Sequence, residues 1–143
     1  MVLIKWDSET MDTGIGLIDS QHKKLCKIIN SFSTALNDGK DKEVLSKIVE
    51  ELLDYTQYHF SVEEEYFEKF DFPEKDLHKS EHKYFIEYFK GIQKGFDKKT
   101  KKKDMATKAQ SMDVLKFLIE WFITHITGSD REYIELFKKN GII

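Results

Sequence analysis

Four stretches of the chain repeat apolar or histidine positions at alternating spacings of three and four. Residues 18–37 carry Ile18, His22, Leu25, Ile29, Phe32 and Leu36 in this register. Residues 42–66 carry Leu45, Ile48, Leu52, Tyr55, His59, Val62 and Tyr66. Residues 75–96 carry His78, His82, Phe85, Phe89, Ile92 and Phe96. Residues 108–126 carry Val114, Leu118, Trp121 and His125, with Leu115 and Phe122 beside them. Side chains at this period share one helix face, so each stretch predicts an amphipathic α-helix with one buried stripe.

The interruptions fall between the stripes. Asn37-Asp38-Gly39 ends the first, and DKEV (41–44) starts the second. FDFPE (70–74) parts the second from the third, with Pro73 suited to a first helical turn. The third fades at Gly95, the polar run DKKTKKKD (97–104) connects onward, and Gly128 stops the fourth. YIELFKK (133–139) predicts a short final helix. Residues 1–17 show two glycines and no stripe, so they read as an irregular arm that Trp6 packs down. The expected fold is all-α: an antiparallel up-down four-helix bundle, one domain over residues 1–143.

Composition narrows the classes. At 143 residues, 40% hydrophobic and 34% charged, the chain can bury a core and is not disordered. A net charge of −3 gives no footing for nucleic acid, and the basic run at 98–103 reads as a solvated loop. One cysteine, Cys26, excludes an internal disulfide framework and a cysteine-built zinc site. No apolar run reaches the roughly 18 residues that a membrane span needs. MVLIKWDSET lacks the apolar core of a signal peptide, so a cytoplasmic location is expected.

All five histidines, His22, His59, His78, His82 and His125, fall on the buried stripes. If a core face is about three positions in seven, chance does this roughly once in seventy. His78 and His82 stand one turn apart, as do His59 and Glu63, so each pair shares a face. Glu63 borders an apolar stripe, and a buried carboxylate needs a cation or good hydrogen bonds. Glu64 and Glu65 read as a solvated acidic patch. Asp19 stands near a helix start, where capping or supporting His22 is at least as good a role as ligation.

The stretch HITGSD (125–130) sets His125 and Asp130 five apart, about 140° around a helix. The Gly128 break is what would bring Asp130 back. Five imidazoles with Glu63 and Asp130 are too many ligands for one tetrahedral zinc, and the mixture suits iron or another borderline transition metal. Two metals bridged by both carboxylates use the set economically. With one bridging oxygen atom, a single coordination position stays open for a small ligand.

The motifs IDSQHKKL (18–25), HFSVEE (59–64), HKSEH (78–82) and WFITHITGSD (121–130), led by Trp6, Gly14 and Gly16, resemble the hemerythrin family, specifically its single-domain bacterial members. The likeness runs from Trp6 to about Phe137. It implies a di-iron centre, with His78, His82 and His125 on one iron and His22 and His59 on the other. The second iron would keep the open position, and Glu63, Asp130 and an oxo or hydroxo group would bridge the pair. It implies a dioxygen pocket at Leu25, Phe60, Trp121 and Ile126. The implied function is reversible dioxygen binding for carriage, storage or delivery, by a monomer that is not an enzyme, with an oxygen-consuming enzyme as the partner it would supply. The alternatives are a di-iron enzyme acting on peroxide or nitric oxide, and a sensor of oxygen or iron. The chain has no Glu-x-x-His pair of the ferritin-like di-iron enzymes, which favours the carrier. One departure is Phe67, where the family commonly has methionine; it bears on packing or on the route of a small molecule.

Overall fold

Each predicted stripe forms a helix in the computed structural model, which describes residues 3–40, 42–96 and 108–143. The elements are α1 (Ser8–Met11), α2 (Gly16–Asn37), α3 (Lys42–Lys69), α4 (Lys75–Phe96), α5 (Lys108–Thr127), a 3-10 turn (Ser129–Arg131) and α6 (Ile134–Lys139). The described residues hold no strand. None of their helices is long and apolar enough to cross a membrane. Asp41 and the connection at 97–104, with its basic run, lie outside the described residues.

The stops work as the residue types dictate. Gly39 takes φ +67 after α2. Its N–H donates to Leu36 O at 3.1 Å, and the Lys40 N–H donates to Ala35 O at 3.0 Å. That is the left-handed cap for which glycine has the lowest cost. Pro73 differs from expectation: it sits in the turn before α4 rather than inside its first turn.

Contacts between rings set the helix directions. Along α4 and α5, His78 meets His125, Phe85 meets Trp121, and Tyr88 meets Phe117. Rising numbers on one helix meet falling numbers on the other, so the pair is antiparallel. The same holds for α3 and α4, where Phe67 meets His78 and Phe60 meets Phe85. α2 packs on α3 and α5, which closes the bundle.

The buried face of α2 is the predicted stripe, from Ile18 to Leu36. That of α3 is rotated from it. Val49, Leu53, Thr56, Phe60, Glu63 and Phe67 are buried with Leu45, Leu52 and His59. Ile48, Tyr55, Val62 and Tyr66, read as core, are only half-buried. The physical reason is that Thr56 and Glu63 take core positions, so the most buried face is not the most apolar one.

The arm is less irregular than expected, since α1 lies within it. Ile4 and Met11 are buried. The Trp6 indole N–H donates to Asp12 Oδ1 at 2.7 Å. Ile4 and Asn30 exchange two hydrogen bonds, at 2.7 and 2.9 Å. Asp19 accepts from the Thr13 N–H, the Thr13 hydroxyl and the Gly14 N–H at 2.8, 2.7 and 3.1 Å. Asp19 thus fixes the turn into α2, a role the sequence did not suggest, and α2 has no side-chain cap.

Two apolar clusters result. The larger runs along the bundle through residues such as Leu25, Phe32, Phe60, Phe89 and Leu118. The smaller gathers Ile15, Ile18, Phe67, Phe72, Tyr133 and Phe137 from the arm, the α3–α4 turn and the C-terminal helix. The five histidines lie where the two clusters meet.

Candidate metal centre

Antiparallel helices place positions near the start of α2 and α4 level with those near the end of α3 and α5. His22, His59, His78, His82 and His125 therefore converge, all at most 5% exposed. Glu63 and Asp130 are 0% exposed among them. The structure brings together all seven residues that the sequence singled out.

Their ligating atoms form two groups. Glu63, His78, His82, His125 and Asp130 make one; His22, His59, Glu63 and Asp130 make the other. Within each group the atoms lie within 4.8 Å of one another. Both carboxylates belong to both groups. Asp130 turns Oδ1 to His78 Nε2 and His125 Nε2, at 2.9 and 3.0 Å, and Oδ2 to His22 Nε2 at 3.1 Å. Glu63 Oε1 stands 3.1 Å from His59 Nε2 and 3.4 Å from His82 Nε2.

These approaches lack hydrogen-bond geometry: both oxygens of each carboxylate have no hydrogen-bond partner among the described residues. The ring nitrogens crowd likewise, His22 Nε2 on His59 Nε2 at 3.1 Å, and His125 Nε2 on those of His78 and His82 at 3.1 and 3.2 Å. Lone pairs that face a shared centre behave this way. Two fully buried carboxylates with unbonded oxygens demand a cation. Imidazole and carboxylate donors in this proportion fit a borderline transition metal such as iron. The residues present fit a pair of such ions.

Outer partners fix the ring tautomers. His59 Nδ1 lies 2.6 Å from Gln21 Oε1, His82 Nδ1 3.4 Å from Glu64 Oε2, and His125 Nδ1 3.1 Å from Glu81 Oε2. Gln21 Oε1 and Glu64 Oε2 only accept, so His59 and His82 carry a hydrogen on Nδ1 and turn the Nε2 lone pair inward, while Glu81 is an ion-pair partner of His125. His22 Nδ1 has no hydrogen-bond partner among the described residues. The sequence reading set Glu64 aside as solvated; it is only half-exposed, and one turn of α3 directs it at His82. Glu81 was visible inside HKSEH and Gln21 just before His22, but periodicity alone assigns neither a partner.

Charge balance follows from the same contacts. Burial opposes a charge on His125, yet the Asp130 and Glu81 carboxylates outweigh it and hold the pKa up at about 10. Burial and mutual repulsion work against the two carboxylates, but the surrounding imidazoles keep both below the usual range. Burial lowers His59. Tyr133, fully buried, is pushed well above the ordinary tyrosine value by desolvation and then by Asp130 and Glu63. A metal cation would take over from the His125 proton, so loading releases protons.

Asp130 reaches the centre through a real break. α5 ends at Thr127, and the 3-10 turn Ser129–Arg131 carries Asp130 inward. Gly128 has φ −114, so it is not there for a left-handed backbone. Its role is steric: a Cβ would lie 2.8 Å from the Thr124 carbonyl oxygen. Arg131 holds the turn from outside, donating to Thr10 O at 2.9 Å. Gly128→Val should shift the turn and weaken metal retention; iron analysis after dialysis against a chelator reads this, and full occupancy would show that the turn does not position Asp130.

Phe67 settles on the packing side. It is 0% exposed and lies 4.7 Å from the His78 ring, 4.9 Å from Phe72 and 5.5 Å from Tyr133. It does not line the cavity described next. Phe67→Ala should destabilise the protein by about 3–5 kcal/mol, measured by denaturant unfolding.

A cavity adjoins one side of the centre. It reaches His22, His59, His125 and Asp130, but not His78, His82 or Glu63. Leu25, Phe60, Trp121 and Ile126, the four expected pocket residues, all line it. So do Ile29, Leu52, Thr56, Phe85 and Phe122, which the motifs did not single out. About 10 Å³ is open to the centre of a water-sized sphere. That is room for roughly one water molecule.

Comparison with known proteins agrees with this geometry. Residues 13–137 match the family described as Hemerythrin HHE cation binding domain. The chain is 32% identical over 140 residues to the bacteriohemerythrin of Pseudomonas aeruginosa (strain LESB58), covering 94% of this chain and 82% of that protein. It is 32% identical over 135 residues to that of Clostridium acetobutylicum, covering 91% and 98%. A crystal structure of wild-type hemerythrin superposes with a TM-score of 0.82 at 26% identity, covering 94% of this chain and 98% of the other.

Proposed function

This chain belongs to the hemerythrin family, and from that premise we propose that it binds dioxygen reversibly at a pair of iron ions. His78, His82 and His125 would hold one iron, His22 and His59 would hold the other, and Glu63 and Asp130, members of both groups, would be shared. The carrying observation is where the cavity lies. The His22 group has four ligands against five in the other, and it is this poorer group that meets the cavity with both its histidines. An ion held by this group would face the space.

When bound, the two irons supply the electrons that dioxygen borrows and returns. The protein's own residues do the rest. Gln21 and Glu64 keep the Nε2 lone pairs of His59 and His82 turned inward, so these imidazoles are ready as ligands, and Glu81 pairs with His125 from outside. Leu25, Phe60, Phe122 and Ile126 are buried and apolar, and they exclude the water and protons that would make oxidation irreversible. The cavity is small and lined mainly by apolar side chains, which suits a small apolar ligand such as a diatomic gas.

The test is direct. The iron-loaded protein is reduced without air, exposed to dioxygen, then degassed, while its visible spectrum is followed. A band that appears and vanishes over repeated cycles supports the carrier. Continuous consumption of dioxygen would instead support an enzyme.

A further inference from the structure

Among the cavity's lining residues, Thr56 carries the one hydroxyl. It stands three residues before His59 on α3, so both side chains leave the helix on one face. It is 2% exposed. Its Oγ1 lies 2.6 Å from the Leu52 carbonyl oxygen. A carbonyl only accepts, so the hydroxyl hydrogen is committed to that bond. What remains for the cavity is a lone pair. A lone pair attracts a guest that brings a hydrogen and does nothing for one that brings none.

We propose that Thr56 holds one water molecule in this cavity as a hydrogen-bond acceptor, and so biases the pocket toward ligands that carry a hydrogen. The space suffices for roughly one water, and a buried water needs two to four polar partners. His22, on the same lining, has an Nδ1 with no hydrogen-bond partner among the described residues, whereas the Asp130 oxygens would be taken by the irons. Apart from the three histidines, the remaining walls are hydrocarbon and aromatic. Dioxygen brings no hydrogen, so it gains nothing from Thr56 and must displace the water. The hydroxyl thereby works against the pocket's other residues, which keep water out. This assignment rests on reading the cavity as the dioxygen pocket.

Crystal structures of the iron-loaded protein test it without any dioxygen chemistry. Wild type is compared with Thr56→Val, which keeps the shape and loses the lone pair, and with Thr56→Ser, which keeps the lone pair. An ordered water within hydrogen-bond distance of Oγ1 is expected in wild type and in the serine variant, and none in the valine variant. The lifetime of the oxygenated form should lengthen about fivefold in Thr56→Val, the fold-change of one ordinary hydrogen bond. A dry wild-type cavity, or the same ordered water in Thr56→Val, overturns the proposal. In that case the hydroxyl serves only its own helix. If the water behaves as expected but no variant takes up dioxygen, the carrier reading fails while Thr56 keeps its water.

Discussion

On the proposed di-iron reading, Asp130→Ala is expected to strip the protein of both irons. Its two oxygens divide between the groups, Oδ1 toward His78 and His125 and Oδ2 toward His22, so one truncation removes a ligand from each. The His22 group would fall from four protein ligands to three, with the cavity still open beside it. The loss of affinity should exceed the roughly 10–100-fold typical when only an outer partner of a ligand is removed. Iron content after gel filtration, with circular dichroism to verify that the helices remain, measures the effect. Glu65→Ala is the control, because Glu65 is exposed and belongs to neither group. Two irons retained in Asp130→Ala would sink the bridging role.

Trp121→Ala should shorten the life of the oxygenated protein at least about tenfold by admitting water to the site. Every other residue that lines the cavity is buried; Trp121 alone is half-exposed. Its indole stacks on His125 with centroids 4.4 Å apart and planes 14° from parallel, and it lies 4.4 Å from Phe85 and 5.9 Å from Phe60. It is the wall between cavity and solvent. Leu25→Ala enlarges the space from within and opens no path, so its autoxidation should also speed up, but less. Stopped-flow spectra decide: unchanged autoxidation in Trp121→Ala would show that the indole excludes nothing. Thr56→Val should act in the opposite direction, which separates admitting water from losing a hydrophobic contact.

The two largest effects differ in how legible they were. His125 and Asp130 were conspicuous because five intervening steps do not share a helix face, and Gly128 marked a way out. The glycine's actual reason, a clash with the Thr124 carbonyl rather than a left-handed φ, needed the backbone. Trp121 was legible as a pocket residue, but its standing as the one half-exposed wall depends on how α3 and α4 pack against α5. On α3 the period pointed only partly to the buried face. Leu45, Leu52 and His59 are buried, and Phe60 and Glu63 lie inside as the motifs imply, but Tyr55, Val62 and Tyr66 are half-buried and Thr56 takes a core position.

Local information was enough for everything that period and caps determine. The four helices, their stops at Gly39 and Gly128, and the placing of five histidines on inward faces follow from side chains three and four apart, which are neighbours within a single helix. Tertiary structure alone decided what depends on the facing helix. A carboxylate such as Glu63 can be 0% exposed only where histidines from two helices meet it, and Glu81 finds His125 only across α4 and α5. The division of Asp130's oxygens and the small volume beside His22 and His59 are of this kind. Both arise where four helices and a turn converge, and no one segment contains them.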